Sequence, residues 1–85
     1  MREFKYTVKD ELGMHARPAG LFVKEAVVFP GRITIVKNGK EADGKKIFAV
    51  MELDVECGDE IILRTEGEQE EEAISVLSRF LEENL

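Results

Sequence analysis

Eighty-five residues, with 44% hydrophobic and 35% charged side chains, suffice for one folded domain and leave little room for an enclosed substrate cavity. The net charge of −6 speaks against a nucleic-acid partner, as does the lack of aromatic and basic residues interleaved along any strand. No apolar run approaches the ~20 residues that span a bilayer, and the first residues read as a strand rather than a signal peptide, so the expectation is a cytoplasmic chain that is not an integral membrane protein.

Phe4, Tyr6 and Val8 alternate with Glu3, Lys5 and Thr7, the period of a half-buried strand. Residues 10–14 form a loop. From residue 16 to 27, Ala19, Phe22, Val23 and Ala26 recur at helical spacing, and Pro30-Gly31 ends that unit. Residues 32–37 read as a strand that turns through Asn38-Gly39, the pair best suited to a two-residue hairpin, and returns along residues 40–43. A short apolar helix over 47–53, a turn at Cys57-Gly58-Asp59 and a strand over 60–66 follow. The last element, 70–83, carries Ala73, Ile74, Leu77, Phe80 and Leu81 on one stripe, with Glu70, Glu71 and Glu72 where a helix start favours anions. This order predicts one α+β domain over residues 1–85, a four-stranded antiparallel sheet with three helices on one face.

Two features narrow the chemistry. Cys57 is the only cysteine and His15 the only histidine, so neither a disulfide nor a common zinc site can form within the chain, and the thiol reads as free and inert. Residues 1–51 hold ten Lys/Arg against six Asp/Glu, whereas residues 52–85 hold two against twelve. His15 therefore lies in the basic part, which suits an anionic ligand or an acidic partner.

His15 falls in Gly13-Met14-His15-Ala16-Arg17-Pro18-Ala19, at the predicted junction of a loop and the first helix. Pro18 is tolerated in a first turn, where an N–H has no helical acceptor. The N–H groups of Ala16 and Arg17 would point out of the helix end and, with the guanidinium of Arg17, could meet a phosphoryl group carried on the imidazole. An imidazole is partly unprotonated near neutral pH, hence nucleophilic, and forms a phosphoramidate that transfers onward. From spacing alone a histidine before a helix serves equally as a cap, a surface residue or a core group, and Arg17 as a solvated charge; the residues by themselves leave these readings open.

The seven-residue motif resembles the active-site signature of the HPr family, the histidine-containing phosphocarriers of the bacterial phosphoenolpyruvate-dependent sugar phosphotransferase system. Chain length, element order, the Asn38-Gly39-Lys40 hairpin, residues 47–53 and the terminal helix extend the likeness over nearly the whole chain. The resemblance implies an open-faced β-sandwich with the order βαββαβα. It implies that His15 is phosphorylated on Nδ1 by Enzyme I and donates to the IIA domains of sugar transporters, with Ala16, Arg17 and Pro18 around the phosphoryl group. Such a chain acts with Enzyme I as an intermediate, needs no cofactor and no metal, and is expected to be a monomer.

A docking face is expected beside His15. Gly20, Leu21, Lys24 and Val27 share a face of the first helix, and Ile47, Phe48, Ala49 and Met51 lie on the short helix, whose apolar residues exceed what a sheet can cover. The resemblance turns Val50 and Leu53 inward, while Lys24, Lys45 and Lys46 could steer an acidic partner. The sequence departs from the family at Lys46, where most members carry a serine that a regulatory kinase phosphorylates, and at Asp54, where the family often has glycine. Three other readings remain: a carrier of a regulatory or nitrogen-related branch, a relay to a dihydroxyacetone-type kinase, and a non-catalytic interaction module of the same fold.

Overall fold

Alternation along each strand assigns its apolar face, and pairing brings those faces into one surface. The computed structural model describes residues 1–85, in the order β1 (Arg2–Thr7), α1 (Ala16–Ala26), β2 (Arg32–Lys37), β3 (Lys40–Asp43), α2 (Ile47–Glu52), β4 (Glu60–Glu66) and α3 (Glu70–Asn84). The strands lie β1-β4-β2-β3, all antiparallel. The register sets Phe4 opposite Leu63, Leu63 opposite Ile35 and Ile35 opposite Ala42, a continuous apolar row across the sheet. The three helices cover that row, so the expected α+β architecture holds.

Their stripes supply the second layer of the core. Ala19, Phe22 and Ala26 of α1 and Ala73, Leu77, Phe80 and Leu81 of α3 are buried, and Phe22 meets Phe80 edge-on with centroids 5.7 Å apart. The other face of the sheet is mixed, with Val36 opposite Ile62 and Thr34 opposite Arg64, and Val36 and Thr34 buried. There Arg64 reaches Glu3 at 2.9 Å and Glu41 at 3.2 Å, bridging from β4 to both edge strands.

Two turns show local chemistry at work. Asn38 and Gly39 take φ of 50° and 79°, and Lys37 pairs with Lys40, which is the two-residue hairpin that this dipeptide favours. Asp54 also has positive φ, 53°, just after the end of α2. A left-handed residue is the usual way to leave a helix, which explains the glycine common there in the family; Asp is one of the few other residues that tolerates it. The Lys37 ammonium donates to the Asp54 carbonyl at 2.5 Å, securing that exit.

Beyond α2, Asp59 organises the turn into β4. Its carboxylate accepts the Glu56 N–H at 2.8 Å and lies 3.0 Å from the Lys37 ammonium. The backbone hydrogen bond first, and Lys37 second, hold this carboxyl below the usual aspartate range. A lowered folded-state pKa means that the charged form stabilises the fold above the unfolded pKa and that the contribution is lost as pH falls. Asp59→Asn should therefore melt below wild type at pH 7, and the gap should close as pH falls below the ordinary aspartate value of about 3.9; thermal melts of both proteins across that range check it.

Residues 8–14 take their shape from backbone contacts to distant segments. The Leu85 oxygen accepts the N–H groups of Lys9 and Asp10, the Leu12 N–H donates to the Asp10 side chain at 2.8 Å, and the Met14 N–H donates to the Val55 carbonyl at 2.9 Å. Gly13 has φ of +65°, and a Cβ there would lie 2.2 Å from the Val55 oxygen and 2.8 Å from Glu56 Cα. Neither the angle nor the space admits a side chain. Gly13→Ala should cost about 2–4 kcal/mol by thermal or denaturant unfolding, and exchange of the Met14 amide should accelerate beyond what the global loss accounts for.

Candidate functional site: a histidine at a helix start

Every backbone donor at the beginning of α1 can be accounted for. The His15 N–H donates to the Gly13 carbonyl at 3.0 Å, and the Ala19 N–H donates to the His15 carbonyl at 3.0 Å as the first helical bond. Pro18 has no N–H to place. Only the amides of Ala16 and Arg17 are left, and neither has an acceptor. Two unpaired donors at the positive end of a helix dipole favour negative charge nearby.

His15 is the N-cap residue, with extended backbone (φ −78°, ψ −176°), but its side chain caps nothing. The ring is partly exposed and makes no hydrogen bond within the chain, so both nitrogens are free for chemistry. Ala16 and Arg17 are exposed, and the Arg17 guanidinium enters no ion pair. Pro18 is buried; it supplies a fixed φ and a packing surface rather than a donor. No group of three His, Cys, Asp or Glu side chains is placed to hold a metal ion, and no helix is long and apolar enough to cross a membrane.

Met14, immediately before the histidine, is 4% exposed and belongs to the hydrophobic core with Val55. Its role as an anchor was not foreseen, because a single apolar residue in a glycine-containing loop carries no periodic signal. On the same loop Leu12 is 71% exposed, extending the apolar rim around the site beyond the two helices.

The expected docking residues divide into groups. A Cβ on Gly20 would lie 3.5 Å from Ile47 Cδ1, so the small residue lets α1 and α2 approach closely. Around that contact Lys24 and Val27 are exposed, Ile47 and Met51 are partly buried, and Phe48 projects with 76% of its surface open. Val50 and Leu53 are buried beneath. Leu21 is exposed and, with Lys24, Glu25, Val28, Phe29 and Val76, lines a groove between α1 and α3. Ala49 stands apart, over the β3 side of α2 with Lys40, Glu41 and Ala42. Of the three lysines expected to steer a partner, Lys45 is not free: its ammonium donates to the Phe29 carbonyl beyond the end of α1.

Comparison with known proteins agrees with this geometry. The family model "PTS HPr component phosphorylation site" matches residues 2–83. The HPr-like protein Crh of Halalkalibacterium halodurans is 44% identical over 82 residues, covering 96% of this chain and 98% of the relative. The histidine-containing phosphocarrier protein of Mycoplasma superposes with a TM-score of 0.93 at 33% identity, covering 96% of this chain and 93% of that one. Crh of Bacillus subtilis, a dimer with a swapped domain, superposes with a TM-score of 0.79 at 38% identity, over 100% and 98% of the two chains. With the fold, the histidine-bearing helix start and the match over residues 2–83 in agreement, the chain belongs to the HPr family of the phosphotransferase system.

Proposed function

We propose that this chain is a sugar-system phosphocarrier that takes a phosphoryl group from phospho-Enzyme I onto His15 and passes it to IIA domains of sugar transporters. The observation that carries the reading is the pair of acceptor-less amides, Ala16 and Arg17, beside an imidazole with no internal partner. The working unit in this reading is one chain, in the cytoplasm where phosphoenolpyruvate is made.

In loading, the Nδ1 lone pair of His15 attacks the phosphorus of the donor's phosphohistidine. The donor's P–N bond breaks, and its imidazole keeps the electron pair. Charge on the transferring oxygens is met by the Ala16 and Arg17 amides, fixed by the helix before the group arrives, and by the Arg17 guanidinium. The same contacts hold the phosphohistidine until an acceptor nitrogen repeats the displacement in the other direction. A phosphoramidate is easily loaded and unloaded, so the carrier needs no cofactor.

A second reading has a specific support, the 44% identity to an HPr-like Crh, which favours a regulatory or otherwise non-sugar branch. Lys46 offers no hydroxyl at the position where the family's regulatory serine stands, which weighs against serine control by that route. Incubation with Enzyme I and labelled phosphoenolpyruvate should give an acid-labile phosphate on the wild type and none on His15→Ala. Arg17→Ala should retain the label but accept it about 10–100-fold more slowly. A wild type that takes no label, or a His15→Ala protein that takes it equally well, would defeat the carrier reading.

A further inference from the structure

Residues 8–15 join β1 to α1 without a helix or strand of their own, yet the placement of the imidazole depends on how this segment is folded. Its two ends are pinned to distant parts of the chain. At one end the Leu85 oxygen accepts the N–H groups of Lys9 at 2.5 Å and Asp10 at 2.6 Å, and the Leu85 side chain is buried in the core. At the other end the Met14 N–H reaches the Val55 carbonyl, and the Met14 side chain is buried as well.

Between those pins the hydrogen bonds converge on one residue. The Leu12 N–H donates to Asp10 Oδ1 at 2.8 Å, and the Gly13 N–H donates to the Asp10 carbonyl at 3.0 Å. The Gly13 carbonyl in turn accepts the His15 N–H at 3.0 Å. Asp10 and Gly13 are the first and fourth residues of one tight turn, the places at which aspartate and glycine favour it. The Asp10 carboxylate enters no ion pair, so its use within the chain is to accept the Leu12 amide. With that turn open, Gly13 regains the wide choice of backbone angles that glycine allows, and its carbonyl is no longer aimed at His15.

We propose that Asp10 is a positioning residue for phosphoryl transfer: its side-chain and main-chain oxygens lock residues 10–13, which aims the Gly13 carbonyl at the His15 N–H and sets the imidazole against the Ala16 and Arg17 amides. The proposal rests on the carrier reading. Asp10 touches no reacting atom, and its carboxylate acts as an acceptor rather than as a charge.

Asp10→Ala and Asp10→Asn separate geometry from charge, because asparagine keeps an acceptor oxygen in the same place and serves equally at the start of a turn. Thr65→Ala is the control for lost stability: it removes the buried hydrogen bond from Thr65 to the Glu70 carbonyl, at the end of β4 that pairs with Arg2 rather than the end that pairs with Thr7. Asp10→Ala should melt about 2–8 °C below wild type, and Thr65→Ala at least as far below. At a temperature where all four proteins are folded, the rate of phosphoryl acceptance at saturating phospho-Enzyme I should fall about 5–50-fold in Asp10→Ala, with the half-saturating Enzyme I concentration unchanged within about twofold. The saturated rates of Asp10→Asn and Thr65→Ala should stay within about twofold of wild type. If wild type is labelled but Asp10→Ala keeps its saturated rate, loses only apparent affinity, or is matched in its loss by Asp10→Asn or Thr65→Ala, the proposal is overturned and the carrier reading stands. If wild type takes no label, both fail.

Discussion

A hydrogen bond from the Met14 amide to the Val55 carbonyl determines where His15 can be. It requires the chain to pass so close to residues 55–56 that only glycine fits at position 13, and it seats the Met14 side chain in the core. With Met14 fixed, the next residue must leave the core, and α1 must begin immediately after it. The unpaired amides of Ala16 and Arg17, the proline that removes a third donor, and the free imidazole all follow from that starting point. The remainder of the domain, a sheet with helices on one face, holds the two sides of this contact together.

Electrostatics then divides the surface by task. Cations that stabilise the fold have partners: Arg64 ties β4 to both edge strands, Lys37 joins Asp59 to the exit of α2, and Lys45 secures the end of α1. Other cations do not. Arg17, Lys24 and Lys46 enter no ion pair, and neither do Lys5, Lys9, Lys40 and Arg79 elsewhere on the surface.

Much of this was legible in the sequence because its local signals agree with one another. Alternation in residues 2–8, the Asn38-Gly39 turn and the Phe22, Leu77 and Phe80 stripes each point to the same layered arrangement. The motif around His15 was legible as a likeness, and the loop-to-helix junction gave it a physical basis. Long-range placement was not. That Met14 is an anchor, that Leu12 lies open, that Lys45 is engaged while Lys46 is free, and that Ala49 faces β3 all depend on which distant segment packs alongside. No period or propensity encodes those neighbours. Asp54 departs from the family's glycine without a local signal for it, and its φ of 53° is the reason glycine suits that position.

The central claim is that the Ala16 and Arg17 amides await a phosphoryl group on His15. Amide chemical shifts, recorded before and after phosphorylation of the intact protein, address it most directly. The account predicts that these two amide protons move strongly downfield as each gains a charged acceptor, while the Ala19 amide, already bonded to the His15 carbonyl, changes little. Phosphorylated protein in which the Ala16 and Arg17 amides stay where they were would contradict it.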